Sequence, residues 1–261
     1  MNAPNAVVIR APGTNCDLET AYAFEMAGAH TDIVHVNALY RGEKSLEEYQ
    51  ILAIPGGFSY GDDISAAVVW ANELKHRLRK DLTAFVEAGK PVVGICNGFQ
   101  VLVKAGLLPA FDHTIEKQSV TLAFNDIGLY FDTWVFLKHG KSPCLFTKSI
   151  DRLLNLPVAH AEGKFVAESQ VLARLEERSQ VVFTYADEKG EDAGFPWNPN
   201  GSLHNIAGIC NPAGNVMGLM PHPERYLHKY MHPHWTCKSL DEVGDGFTIF
   251  KNAVNYTQQR F

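Results

Sequence analysis

Pro91-Val92-Val93-Gly94-Ile95-Cys96-Asn97-Gly98-Phe99-Gln100 decides how this chain is read. Its apolar start predicts a short buried strand, and the residues from Asn97 onward suit a helix. Glycines two before and two after Cys96 allow the tight strand-to-helix turn called a nucleophile elbow. Such a turn lifts a sulfur clear of the sheet and sets it at a helix N-terminus. There the helix dipole and unpaired N–H groups favour thiolate, the attacking species. A lone G-x-C-x-G is a loose pattern, however, and most free cysteines are small buried hydrophobes. The reading must rest on the rest of the chain.

Outward from the elbow, strand-like and helix-like segments alternate. Residues 6–9, 31–36 and 51–54 read as strands, the last stopped by Pro55-Gly56-Gly57. Residues 18–27 read as a helix closed by Gly28, and 74–88 as another ended by Gly89. This rhythm predicts an α/β fold: a mostly parallel, doubly wound, flavodoxin-like sheet with helices on both faces. After Leu108 the pattern turns to strands, at 119–124, 130–137, 157–160 and 181–185, some expected to be antiparallel additions. A final helix is expected over 245–257. With no repeat or linker in sight, residues 1–261 are read as a single domain. In such sheets a ligand sits outside the carboxyl ends of the strands, so Gly56-Gly57 and Cys96 should be neighbours.

Composition narrows the function classes. The chain is 46% hydrophobic and 20% charged, ordinary for a globular protein, with a net charge of −6. No basic run stands out to neutralise phosphates, so nucleic acid is not an expected partner. No segment approaches the roughly 20 apolar residues of a membrane span. Met1 to Asn5 lacks the charged and apolar blocks of a secretory signal. The five cysteines form no CxxC pair, which suits a reducing cytoplasm.

A second anchor is Pro221-His222-Pro223-Glu224-Arg225, after the apolar run 216–220. The prolines keep Met220 and His222 out of the helical region, so an extended segment is expected. In an extended chain residues two apart point the same way. His222 and Glu224 would then face one cleft, the carboxylate holding one ring nitrogen and freeing the other for Cys96. A third piece is Pro55 to Asp62, whose glycine pair at a strand end suits a backbone N–H turned toward a ligand.

Together the three segments resemble the class I glutamine amidotransferases, marked by G-x-C-x-G-x-Q, a preceding P-G-G and a late P-H-P-E. Within them the resemblance is to the glutaminase subunits of phosphoribosylformylglycinamidine (FGAM) synthase. Pro12 to Asp17, Ile54 to Asp62, Gly94 to Leu102, Gly106 to Pro109 and Gly214 to Arg225 carry it. Val158 to Lys164 departs from the family's V-A-H-G-E-G-N at two positions, and the segment after Arg225 looks like an insertion.

The resemblance implies a Cys96–His222–Glu224 triad that hydrolyses glutamine. Gly57 and Asn97 N–H groups would form the oxyanion hole, and Phe58, Gln100, His160 and Glu162 would contact substrate. It also implies no cofactor in this chain. ATP and Mg would sit on a large synthetase subunit, accompanied by a small third subunit, which turns formylglycinamide ribonucleotide into its amidine. Ammonia is mostly ammonium near neutral pH, so channelled delivery and a weakly active isolated chain are expected. Two other classes share these features: a non-catalytic glutamine sensor, and a stand-alone cysteine hydrolase of the same fold. Peptidase-like relatives place a His right after the nucleophile, where Asn97 stands here.

Other motifs carry less. His228, His232, His234 and Cys237 fit no zinc spacing and are expected in a polar surface loop. Gly140-Lys141-Ser142 lacks the glycine five residues earlier that a phosphate loop requires, since Val135 stands there.

Overall fold

A computed structural model describes residues 3–111 and 118–261. The first half runs β1 (Asn5–Arg10), α1 (Asp17–Ala27), β2 (His30–His35), α2 (Val36–Tyr40), β3 (Ile51–Ile54), α3 (Val68–Arg77), α4 (Arg79–Glu87), β4 (Val92–Ile95) and α5 (Asn97–Ala105). The second half runs β5 (Val120–Phe124), β6 (Phe131–His139), β7 (Leu154–His160), β8 (Glu162–Ala167), α6 (Ser169–Glu177), β9 (Val181–Ala186), β10 (Ile206–Cys210), β11 (Val216–Leu219) and α7 (Phe247–Arg260).

Among the described residues, nine strands form one sheet in the order β2-β1-β3-β4-β11-β10-β9-β6-β7. The first five pair in parallel, in the flavodoxin order. The rest extend the sheet antiparallel, as the strand-rich second half implied. Every residue of β3, β4 and β11 is buried, so these strands read as continuous apolar runs rather than alternating ones. The chain steps from β1 outward to β2 but from β3 the other way to β4. Right-handed crossovers therefore put α1 on one face and α3 and α5 on the other. Accordingly α1 packs against α7, and α3 against α5. β5 and β8 form a separate antiparallel pair.

The helix expected over 74–88 is two helices, broken at Leu78 where φ is −121° and ψ 11°. Leu74, Leu78, Leu82 and Phe85 are all buried. Their spacing keeps helical phase across the break, so the pattern gives no sign of it. Three elements had no clear sequence signal: the partly buried β8 and α6, and the fully buried β10. The last carries Gly208, whose Cβ would sit 2.8 Å from the carbonyl of Gly218 in neighbouring β11.

By pairing, β7 lies at the far edge of the sheet, yet it reaches the central strands. Its Pro157 carbonyl accepts the His222 N–H at 2.8 Å, and Ala159 O lies 3.8 Å from Cys96 Sγ. The antiparallel half thus curls over the carboxyl ends of β4 and β11 and walls the crevice there.

Candidate active site

Three adjacent parallel strands, β3, β4 and β11, deliver the segments singled out in the sequence. Pro55-Gly56-Gly57 leaves β3, Cys96 leaves β4, and His222 follows β11 after two residues. The convergence follows from strand order alone.

Cys96 sits at φ 52° and ψ −105°, a backbone strain that a non-glycine residue tolerates only where its surroundings impose it. Its N–H is fixed by Leu219 O of β11 at 2.8 Å, and its carbonyl starts α5 by accepting from Gln100 N at 3.1 Å. The elbow glycines are demanded by close packing. A Cβ on Gly98 would lie 1.8 Å from Ile54 O of β3, and one on Gly94 2.5 Å from Gly98 O. Only glycines let α5 descend this far onto the sheet.

His222 has an extended backbone, φ −104° and ψ 90°, as Pro223 requires, but the next residues do not stay extended. Pro223–Arg225 is a 3-10 turn. This corrects the route by which Glu224 meets His222. The turn, rather than a strand's alternation, brings Glu224 Oε1 to 2.6 Å from His222 Nδ1. Both residues are 1% exposed. Burial by itself would depress the imidazole pKa. The Glu224 carboxylate, then Cys96 and Cys16, outweigh it and hold the ring well above its ordinary value. Cys96 lies near enough for its charge to act on the ring, so nucleophile and base share one pocket, and His222 Nε2 is buried there with no hydrogen-bond partner among the described residues.

The glycine pair has two separate reasons. A Cβ on Gly56 would meet His222 Cε1 at 2.8 Å, so Gly56 makes room for the ring. A Cβ on Gly57 would lie 2.8 Å from the Gly13–Asn15 backbone, against which Gly57 bridges at Thr14. That bridge uses the N–H groups of Phe58 and Asn15, not that of Gly57. Asn97 opens α5, where a backbone N–H has no acceptor within the helix.

The remaining residues expected at the site are held by protein partners. The Asn97 side chain accepts from Ser59 N at 3.2 Å and donates to Gln100 Oε1 at 2.9 Å. Gln100 in turn donates to Glu162 O at 2.5 Å. The Glu162 carboxylate accepts from Ser65 Oγ at 3.3 Å and Ala66 N at 3.4 Å, clamping the loop after β3. Phe58 is half-exposed, its ring 6.2 Å from that of Tyr130.

His160 is buried among amides. Nδ1 pairs with Asn125 Oδ1 at 3.1 Å, and Nε2 with Asn200 Nδ2 at 3.4 Å. Asn125 and Asn200, absent from the sequence reading, thus tie the β7–β8 turn to two loops. Burial, then the charge of nearby His222, push the His160 pKa down to about 3. The unfolded chain therefore binds a proton here that the folded one refuses, between about pH 6.5 and 3. Stability should fall with acidification across that window, by up to about 1.4 kcal/mol per pH unit from this group. Urea unfolding at pH 7 and 4.5 should give a smaller acid-induced loss for His160→Gln than for the unmodified chain. Equal losses would remove His160 as the cause.

Sequence reasoning also missed Cys16 and Arg225. Cys16 Sγ, His222 and Glu224 present ligand atoms within 4.8 Å of one another, an arrangement that could suit a metal. Arg225 Nη2, however, donates to that sulfur at 3.0 Å, and His222 Nδ1 is already bonded to Glu224. A cation would have to sit beside a guanidinium and break that bond. The histidines after Arg225 go to separate partners: His228 Nε2 to Tyr22 at 2.9 Å, and His232 Nε2 to Asn155 at 2.9 Å. His232 is buried against the Trp134 ring, centroids 4.7 Å apart, while His234 and Cys237 are exposed in the surface loop expected.

Comparisons with known proteins identify the family. A family model described as a CobB/CobQ-like glutamine amidotransferase domain matches residues 3–257. Phosphoribosylformylglycinamidine synthase subunit PurQ of Dehalococcoides mccartyi is 45% identical over 99% of this chain and 100% of its own length. Its counterpart from Archaeoglobus fulgidus is 43% identical over 97% of this chain and 96% of its own. A chain in the structure of PurLQS from Thermotoga maritima superposes with a TM-score of 0.74 at 31% identity, covering 97% of this chain and 99% of that one. The chain belongs to the CobB/CobQ-like glutamine amidotransferase family, among the PurQ subunits of phosphoribosylformylglycinamidine synthase.

Proposed function

We propose that residues 1–261 act as one amidotransferase domain that hydrolyses glutamine through Cys96, His222 and Glu224. The observation that carries this reading is the meeting of the β4 elbow with the buried His222–Glu224 pair at the carboxyl edge of the sheet. Cys96 thiolate attacks the side-chain amide carbon, and the tetrahedral oxyanion takes N–H donation from Asn97 and Gly57. One such donor is worth roughly 3 kcal/mol. The C–N bond breaks as His222 gives its proton to the departing ammonia, leaving a glutamyl thioester on Cys96. His222 then takes a proton from water, whose oxygen attacks the thioester and releases glutamate and the Cys96 sulfur. Glu224 keeps Nδ1 protonated and stabilises the charged ring. Phe58, Gln100, His160 and Glu162 shape the glutamine pocket, the last three through the hydrogen bonds that fix its walls.

The ammonia passes to a large synthetase subunit, which holds ATP and Mg and converts formylglycinamide ribonucleotide to the amidine in purine biosynthesis. A small third subunit completes the assembly, as the three-subunit naming of the Thermotoga maritima relative suggests. This chain itself carries no cofactor and works in the cytoplasm. Among the described residues, no helix is long and apolar enough to cross a membrane.

Mass spectrometry of the assembled enzyme quenched during turnover should find a glutamyl adduct on Cys96. Ammonia release should fall by about 10³-fold in His222→Ala, which loses proton transfer. Glu224→Ala should lose less, since orientation is only partly lost. An absent adduct together with unimpaired His222→Ala would end the proposal.

A further inference from the structure

A second sulfur lies in the pocket, and the reaction as proposed does not use it. Cys16 caps the N-terminus of α1, comes from the loop after β1, and is 1% exposed. Its N–H is held by Gly56 O at 3.2 Å. Its thiol donates to Asn15 Oδ1 at 3.1 Å and accepts from Arg225 Nη2 at 3.0 Å. The sulfur also borders the catalytic ring. A methyl group on Gly56 would lie 2.8 Å from His222 Cε1, 3.4 Å from Nδ1 and 3.3 Å from Cys16 Sγ. One point above the Gly56 backbone is therefore shared by the Cε1–Nδ1 edge of the ring and by this thiol.

We infer that Cys16 is a positioning residue for His222, a polar brace that joins the loop after β1 to the turn carrying Glu224 and Arg225. This rests on the glutamine-hydrolysis reading above. A ring tethered only through Nδ1 can rock about that one hydrogen bond. Glu224 supplies the tether, Gly56 backs the Cε1 edge, and Cys16 closes the remaining side. Arg225 then does two things. It locks the sulfur in place, and it keeps a fixed positive charge beside a group that must lose and regain its own. The partners are 209 positions apart in the chain, so the brace also staples the β1 and β11 ends of the crevice. Removing the sulfur frees the ring to swing and leaves a half-buried guanidinium without this acceptor.

The test uses the assembled synthase with glutamine, and compares Cys16→Ala, Cys16→Ser and Cys96→Ala. In Cys16→Ala, kcat should fall by about 10-fold with KM within about twofold, the split expected of a group that acts on the transition state. The pH profile of Cys96 alkylation by iodoacetamide should move by about half a unit or more, because the imidazole it pairs with is reset. Cys16→Ser keeps an acceptor for Arg225 and should recover part of both losses. If Cys16→Ala does not fold, Cys16→Ser alone decides, by a smaller shift of the same two readouts. Overlay of both Cys16 variants on the unmodified enzyme would overturn the inference, as would a rise in KM at unchanged kcat. Activity surviving in Cys96→Ala would instead overturn the hydrolysis reading.

Discussion

An assembled synthase carrying Cys96→Ala should amidate its ribonucleotide from ammonium salts at the unmodified rate, and from glutamine at below about 10⁻⁴ of it. The expectation rests on what the substitution leaves alone. Alanine occupies less space than cysteine, and the elbow is held by backbone bonds to Leu219 and Gln100 rather than by the sulfur. The strained φ of 52° is no worse for alanine. The fold and the subunit contacts should therefore persist while the attacking atom is gone. No nearby group replaces it, because Cys16 is committed to Arg225 and Asn15. The isolated chain should hydrolyse glutamine only weakly, since ammonia lost to water becomes ammonium and gains the complex nothing. Glutamine-supported turnover persisting in Cys96→Ala would mean the nucleophile lies elsewhere.

The parallel half of the sheet was legible because its central strands are short apolar runs with clear stops: Pro55 after β3, the Cys96 elbow after β4 and Pro221 soon after β11. The antiparallel half was less so. β8 lies in a stretch read for its motif, and its partly buried residues include Glu162 and Lys164, which do not look strand-like. The break at Leu78 was invisible because its buried leucines keep phase. At the site, Cys96, His222 and Glu224 were legible since glycines and prolines restrict the backbone around them in few ways. The Cys16–Arg225 contact was not, because nothing local links residues so far apart. Only the strand order β1-β3-β4-β11 in the sheet brings the loop after β1 and the turn after β11 together. The amide cage of His160 is hidden for the same reason: Asn125 and Asn200 stand 35 and 40 residues from it.

A single methyl group on the elbow should damage the protein more than the loss of most side chains. Gly98→Ala would place Cβ 1.8 Å from the Ile54 carbonyl oxygen, far inside contact distance. The obstacle is backbone in a fully buried strand, so no rotamer change relieves it. Either β3 yields, carrying Gly56 and Gly57 with it, or α5 lifts and takes Cys96 along. Overpacking of this kind against main chain should cost more than about 4 kcal/mol, at the exceptional end for point substitutions. Whatever fraction folds should also be catalytically impaired, since a displacement of about 1 Å at the reacting atoms costs on the order of 10²-fold. Gly194→Ala provides the contrast. No atom lies within 4 Å of the added methyl there, and its unfolding free energy from urea titration should stay within about 0.5 kcal/mol of the unmodified chain. Should Gly98→Ala unfold at the same urea concentration as Gly194→Ala and still hydrolyse glutamine, α5 would not be seated on β3 as described. The sulfur's placement would then need another cause.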